Sequence, residues 1–423
     1  MSYLSSRVTF ASLSPVHAVR RIAGIYYGWN VALVAFLSTG ISVGMTGYAF
    51  GAFVEPLEEE FGWTRTQVNW GVALGFVSGV VAPIVGRIMD RFGARPVMVI
   101  SLLIMALGFL LRSSVDNLWQ FYLYSAIVYI GMPGATVMPA GRLVGLWFPK
   151  TRGRMMGIVT SGNNFGGLTI VPLAAVIIAT SGWRWGFASL GLISAGLAVL
   201  VLVVVRERPV EEASEDGSAS TSTEIPGVSG RVALHSLSFY LITVGITAGA
   251  FTYSVILSQM IPHLTSQGFS DEAAAAALTV TAAFGLTSKL FFGLLSEKIT
   301  ARIAFVLTLL IQATGVFLFI VAGGSQAVWA AVLVFGLGFG GMGALIPLTV
   351  AEAFGLRSFG TIMGFVSVAG IMPQLAGPLV AGYIFDQRGS YTIPFGIIVG
   401  MFIFGALALL AARRTPMSSL KPT

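Results

Sequence analysis

The stretch Ala273-Ala-Ala-Ala-Ala-Leu-Thr-Val-Thr-Ala-Ala-Phe-Gly285-Leu-Thr-Ser-Lys289-Leu-Phe-Phe-Gly293-Leu-Leu-Ser-Glu297-Lys298 decides the fold. It reads as a membrane-spanning helix with one charge in its apolar body. Lys289 precedes Glu297 by eight residues, roughly 12 Å along a helix axis. Gly285 and Gly293 lie one turn either side of it on the same face. Small residues beside a charge indicate a face packed on protein or lining a cavity rather than facing lipid. A charge at this depth costs about 2.5–3.5 kcal/mol or more, which makes Lys289 a functional-site candidate by default. The competing reading is a lysine that snorkels to the interface: its stem reaches about 6 Å, against roughly 9 Å to the expected cytoplasmic boundary of the bilayer.

Working outward, the 423 residues are 56% hydrophobic and 10% charged, with a net charge of +7. Soluble domains carry about 25% charged residues, so the lipid bilayer is this chain's main solvent. Its basic residues fall in short loops between apolar runs and read as topology signals, not as a nucleic-acid surface. With no cysteine, thiolate metal sites and thiol nucleophiles are excluded. No cleavable signal peptide is expected, because the first apolar run after Arg20-Arg21 continues too long.

Twelve apolar runs, each about the length of a spanning helix, fall near 28–54, 67–89, 96–114, 119–147, 153–180, 184–205, 235–262, 273–296, 302–322, 326–350, 360–384 and 392–412. The expected organisation is an N-terminal arm (1–25), a six-helix half (26–205), a polar linker (206–233), a second six-helix half (234–412) and a tail (413–423). Lysine and arginine cluster on the side of both termini. The opposite side holds only Arg65, Arg112, Arg184 and Arg388. That asymmetry predicts cytoplasmic termini and a multi-pass protein of the plasma or inner membrane.

The halves repeat. Gly86-Arg-Ile-Met-Asp90-Arg91-Phe-Gly93-Ala-Arg95 closes the second run, and Gly293-Leu-Leu-Ser-Glu297-Lys298-Ile-Thr-Ala-Arg302 closes the eighth, 207 positions later. The same offset carries Gly153-Arg-Met-Met156-Gly157 onto Gly360-Thr-Ile-Met363-Gly364. Parallel repeats of this kind belong to secondary transporters. In each copy the acid (Asp90, Glu297) sits among basic residues (Arg91, Arg95, Lys298). It can pair with cations or cap a neighbouring helix and so latch the halves together.

The Gly86–Arg95 stretch resembles the loop motif of the major facilitator superfamily, with Glu297-Lys298 as its degenerate second copy. A narrower resemblance rests on Tyr27-Gly28-Trp29-Asn30-Val31 and on Trp147-Phe148-Pro-Lys150-Thr-Arg152-Gly-Arg-Met-Met-Gly157-Ile-Val-Thr-Ser-Gly162. Both look like signatures of the monocarboxylate transporters and their oxalate/formate antiporter relatives. Thr151, Arg154, Met155 and Val159 depart from the second signature, and Tyr26 stands where an acid often precedes Gly-Trp. The resemblance implies an all-α membrane protein of two pseudo-symmetric halves that transports small organic anions by alternating access. It also implies that Lys289 takes the place of a substrate-binding arginine. Animal members carry an aspartate one turn earlier, a presumed proton carrier, where this chain has Gly285. Proton coupling and anion exchange therefore both stay open.

Further candidates have two readings each. Arg142 shares a face with Gly134, Met138, Gly141 and Gly145, and is either a ligand or gating contact or a packed, snorkelling residue. Asn163 and Asn164 either line the cavity or bond across helices. His263 either titrates near neutrality or sits solvated at the interface. Tyr129, Tyr253 and Gln259 are either donors to a carboxylate or packing residues. Enzyme chemistry has no place: there is no metal-spaced His/Asp/Glu cluster, no phosphate loop and no paired carboxylate in a span. No cofactor is expected. The partners expected are a small carboxylate and, as one alternative, protons. The rival readings are a carrier for a sugar, drug or aromatic acid, and a membrane sensor that binds without turnover.

Overall fold

The computed structural model describes residues 26–207, 225–322 and 324–412, without the side chain of Tyr253. The arm 1–25, residues 208–224 of the linker, the tail 413–423 and the Tyr253 side chain lie outside the described residues.

Among the described residues, twelve helices are long and apolar enough to cross a membrane. In order they are α1 Gly28–Phe61, α2 Arg65–Phe92, α3 Ala94–Arg112, α4 Leu118–Trp147, α5 Arg152–Ser181, α6 Trp183–Val204, α7 Leu237–Ser266, α8 Asp271–Ile299, α9 Ala301–Val321, α10 Ser325–Phe354, α11 Phe359–Arg388 and α12 Thr392–Ala411. The chain forms helices because lipid offers backbone groups no partner, so each span must satisfy its own. Side-chain caps mark several starts: Ser270 accepts from the Ala273 N–H before α8, and Asn117 accepts from the Gln120 N–H before α4. Against the expected 28–54, α1 runs seven residues further. The last segment of α1, Val54–Phe61, carries an acidic cluster whose Glu60 accepts from Trp183 Nε1 at 2.6 Å and pairs with Arg184.

An even number of spans places Tyr26 and Ala412 at the same end of the bundle, here called basal; the other end is apical. The main contacts between the halves join α2 to α11, α5 to α8 and α10, and α4 to α10 and α11. Glycine makes two of these approaches possible. A Cβ on Gly86 of α2 would run into the Gly360 backbone of α11, and a Cβ on Gly293 of α8 would fall 2.5 Å from the Gly153 carbonyl oxygen of α5. These two contacts are related by the 207-residue repeat.

The repeat also shows in the backbone. Turns of π-helix interrupt α1 at Gly44–Tyr48 and α7 at Thr252–Ile256, equivalent places in the two halves. Such turns often mark functional segments. The loop motif shows the same symmetry with one departure. Gly93 has φ +94°, and its repeat partner Thr300 has φ +128°, the one described non-glycine residue with positive φ. A threonine held there costs about 1–3 kcal/mol, although its side chain accepts from Ile303 N–H. Thr300→Gly is therefore expected to raise the melting temperature, because glycine removes the strain and loses only a few tenths of a kcal/mol of capping. A lower melting temperature in purified protein would contradict this.

Candidate functional site

The basal end is closed by carboxylates placed on helix N-termini of the opposite half. Asp90, at the end of α2, accepts from the backbone N–H groups of Gly360 (2.8 Å) and Thr361 (2.7 Å) at the start of α11. Glu297, near the end of α8, accepts from Arg154 N–H (2.7 Å) at the start of α5 and pairs with that residue's guanidinium at 3.5 Å. Helix N-termini present unsatisfied donors and a partial positive charge, so each acid suits its position. The repeat relates the two contacts, Asp90 corresponding to Glu297 and Thr361 to Arg154.

Arg142 belongs to this latch. Its Nη1 lies 3.2 Å from Asp90 and its Nε 2.5 Å from Glu207, and the residue is 3% exposed. Glu207 also accepts from Ala94 N–H at 3.0 Å. The guanidinium does not snorkel. Two carboxylates hold it, at the same contact that joins Asp90 to the start of α11. Arg95 donates to the Leu202 carbonyl, and Arg91 lies over the Phe92 ring at 5.2 Å. Lys298 is exposed. Glu207 escaped sequence reading because it opens the linker, although an acid between Arg206 and Arg208 at a helix end was its signal.

Lys289 sits on α8, about 15 Å above the basal end of the helix at 1.5 Å per residue. It is 6% exposed, so it does not snorkel. Its Nζ donates to Asn164 Oδ1 at 2.5 Å and to the Thr160 carbonyl at 3.3 Å, both on α5 of the other half. A Cβ on Gly343 of α10 would lie 3.8 Å from the lysine Cε. Gly157 of α5 packs against the Lys289 backbone, and Gly285 faces Phe339 and Gly340 of α10. Among the described residues no carboxylate pairs with Lys289. Thr160 and Gly343 carried no sequence signal, since one contributes a main-chain oxygen and the other the absence of a side chain.

The remaining candidates are distributed elsewhere. Asn163 Oδ1 is buried without a partner. Tyr129 turns its hydroxyl toward the Thr46 carbonyl in the π-turn of α1, at 3.4 Å. His263 is not a solvated interfacial residue. It is 5% exposed among Phe319, Tyr391 and Phe395, because α7 continues past it to Ser266. Gln259 accepts from the Tyr391 hydroxyl at 3.0 Å. Burial, and secondarily Asp386, hold that phenol above its ordinary pKa, so it stays a donor. Arg112, read from sequence as an outer-side topology marker, is 2% exposed and lies 5.5 Å from each of the Phe109, Phe121 and Phe187 rings. It is the last residue of α3, and the guanidinium folds back over aromatic faces instead of reaching water.

The two signature stretches meet at the basal end. Tyr26 packs on Trp147 and Phe148, Tyr27 on Trp147, and Trp29 on Phe148, with centroids 5.7–5.9 Å apart. The Tyr26 hydroxyl donates to the Trp147 carbonyl at 2.7 Å, and burial raises its pKa, which keeps it protonated. Two repeated six-helix units, latched at one end around a buried interfacial cation, define a membrane carrier for a small molecule.

Comparison with known proteins agrees. The model of the Major Facilitator Superfamily matches residues 32–370, and the chain belongs to that family. Curated relatives include human monocarboxylate transporter 11, 24% identical over 409 residues, covering 92% of this chain and 83% of that protein. Another is rat monocarboxylate transporter 2, 26% identical over 408 residues, covering 88% and 81%. Among solved structures, the proton:xylose symporter XylE superposes with a TM-score of 0.72 at 16% identity, covering 90% of this chain and 94% of that one. The human organic anion transporter MFSD10 gives 0.66 at 16% identity, covering 90% and 99%. At these identities the structures speak for the fold alone. The chain is an integral, multi-pass membrane transporter and not an enzyme.

Proposed function

We propose that this protein is a secondary transporter of small monocarboxylates, with Lys289 as the anion contact. One observation carries the reading: Lys289 is a buried cation at the interface of the halves that meets neutral oxygen atoms and, among the described residues, no carboxylate. Arg142, also buried in a span, is already neutralised by Asp90 and Glu207, and Arg112 lies against aromatic rings within the N-terminal half. The unpaired charge of Lys289 at the interface of the halves suits one negative charge, because an occluded site with unbalanced charge is strongly disfavoured in low dielectric. The kinship with monocarboxylate transporters supports the same class of substrate. Alternating access then amounts to releasing the basal latch while the apical ends come together. Transport runs either with a proton or in exchange for a second anion. The lysine and arginine asymmetry supports cytoplasmic termini and residence in the plasma or inner membrane, with the basal end facing the cytoplasm.

Thermal melts of purified protein with a ligand panel test the substrate class. Lactate, pyruvate or benzoate is expected to stabilise the protein, by about 2.7 kcal/mol at a hundred times Kd. Oxalate, carrying two charges, and xylose, carrying none, are expected to have little effect. Stabilisation by xylose and by none of the acids would overturn the reading.

A further inference from the structure

We propose that Asn164 is an internal competitor for the anion: its side-chain carbonyl fills the place beside Lys289 that a substrate carboxylate oxygen takes on binding. The inference rests on Lys289 being the anion contact and adds what sets the affinity and what binding releases.

The geometry starts from the ammonium, which has three donors and no acceptor. Two of its contacts are accounted for, Asn164 Oδ1 at 2.5 Å and the Thr160 carbonyl at 3.3 Å. A donor-only group requires the oxygen of the asparagine amide to face it, so the amide orientation follows from chemistry. On the α10 side stands Gly343, which contributes no side chain. The lysine is buried, 6% exposed, and two of its three donors meet oxygens that carry no charge. A carboxylate makes a bond charged at both ends, roughly twice as strong as one to a neutral acceptor. The anion therefore displaces Asn164, and its affinity reflects the difference between the two bonds.

Displacement has a structural consequence. Lys289 belongs to one half, and Asn164 and Thr160 belong to the other. Among the described residues, the hydrogen bonds between the halves come from three groups: Asp90, Glu297 and Lys289. The lysine bridge is the one that a bound anion reaches directly. Exchanging Asn164 for the substrate loosens α5 from α8 at the level of the site and couples occupancy to basal opening.

Two substitutions separate an internal competitor from a substrate ligand. Asn164→Asp places a tethered carboxylate on Lys289 and should weaken benzoate binding about 100-fold or more, the effect of losing a buried charge-pair partner. Asn164→Ala removes the competitor and should tighten binding about 3- to 10-fold. If the alanine variant binds as weakly as the aspartate variant, Asn164 is a ligand and the proposal fails.

A second readout needs no substrate. The chain has no cysteine, so V144C supplies a single thiol. Val144 is 2% exposed and lines the basal interface with Pro347, Leu348 and Ala351. Maleimide labelling at this position reports basal opening. Relative to the Asn164 protein, labelling should be slower with Asn164→Asp and faster with Asn164→Ala, and Lys289→Met, which has no donor, should erase both differences. Equal rates in the three proteins would overturn the bridge. If benzoate, pyruvate and lactate all fail to bind the unmodified protein, the carboxylate reading fails, while labelling still decides the bridge.

Discussion

Lys289→Gln is expected to abolish saturable monocarboxylate binding while leaving a folded, membrane-inserted protein. Removing one partner of a buried ion pair costs about 3–5 kcal/mol, because the other charge stays desolvated and unpaired. At 1.4 kcal/mol per decade, that is roughly a 100- to 4000-fold loss of affinity. The fold should survive because the present partners of Lys289 are the neutral oxygens of Asn164 and Thr160, to which a glutamine amide can also donate. Removing an uncompensated charge from the interior also relieves a desolvation cost. Titration with benzoate, alongside melting of the ligand-free protein, reads both quantities. Unchanged affinity in the variant would remove Lys289 from the site.

The second large effect is expected at Arg142. Arg142→Met keeps the side-chain volume but leaves Asp90 and Glu207 facing each other without a cation. Uncompensated buried charge should destabilise the protein by about 3–5 kcal/mol and favour a basally open state. Asp90 retains its two backbone donors at the α11 N-terminus, so the latch weakens without vanishing. Adding Asp90→Asn should recover part of the lost stability, since it removes one of the stranded charges. A full double-mutant cycle by thermal melting, with V144C labelling in parallel, measures the coupling. Strict additivity, or a melting temperature equal to that of the unmodified protein, would show that Arg142 and Asp90 do not act as a unit.

The fold was legible because bilayer physics writes it into hydropathy, and because the repeat carries Gly86 onto Gly293 and Asp90 onto Glu297. The glycines at those positions meet the opposite half, and the acids cap its helices. The site was legible only in part. A lone lysine in an apolar helix announces itself, but its partners do not. Thr160 acts through its carbonyl, Gly343 through the lack of a side chain, and Asn164 could be named only as one of two adjacent amides. Arg142 showed the reverse difficulty. Its depth was evident, yet its role depends on Glu207, sixty-five positions away and visible only once the chain is folded. Arg112 could be counted only for its side of the membrane, because position near a helix end does not tell whether a guanidinium reaches water or folds back onto Phe109, Phe121 and Phe187.

Counterflow in proteoliposomes tests the central claim most directly. Purified protein is reconstituted, the vesicles are loaded with unlabelled pyruvate, lactate or benzoate, and uptake of the same labelled acid is followed. The account predicts transient accumulation of label above equilibrium for at least one monocarboxylate, competition by the others, and loss of accumulation in Lys289→Gln. Absence of counterflow for every acid, or accumulation of label that Lys289→Gln leaves intact, would contradict it.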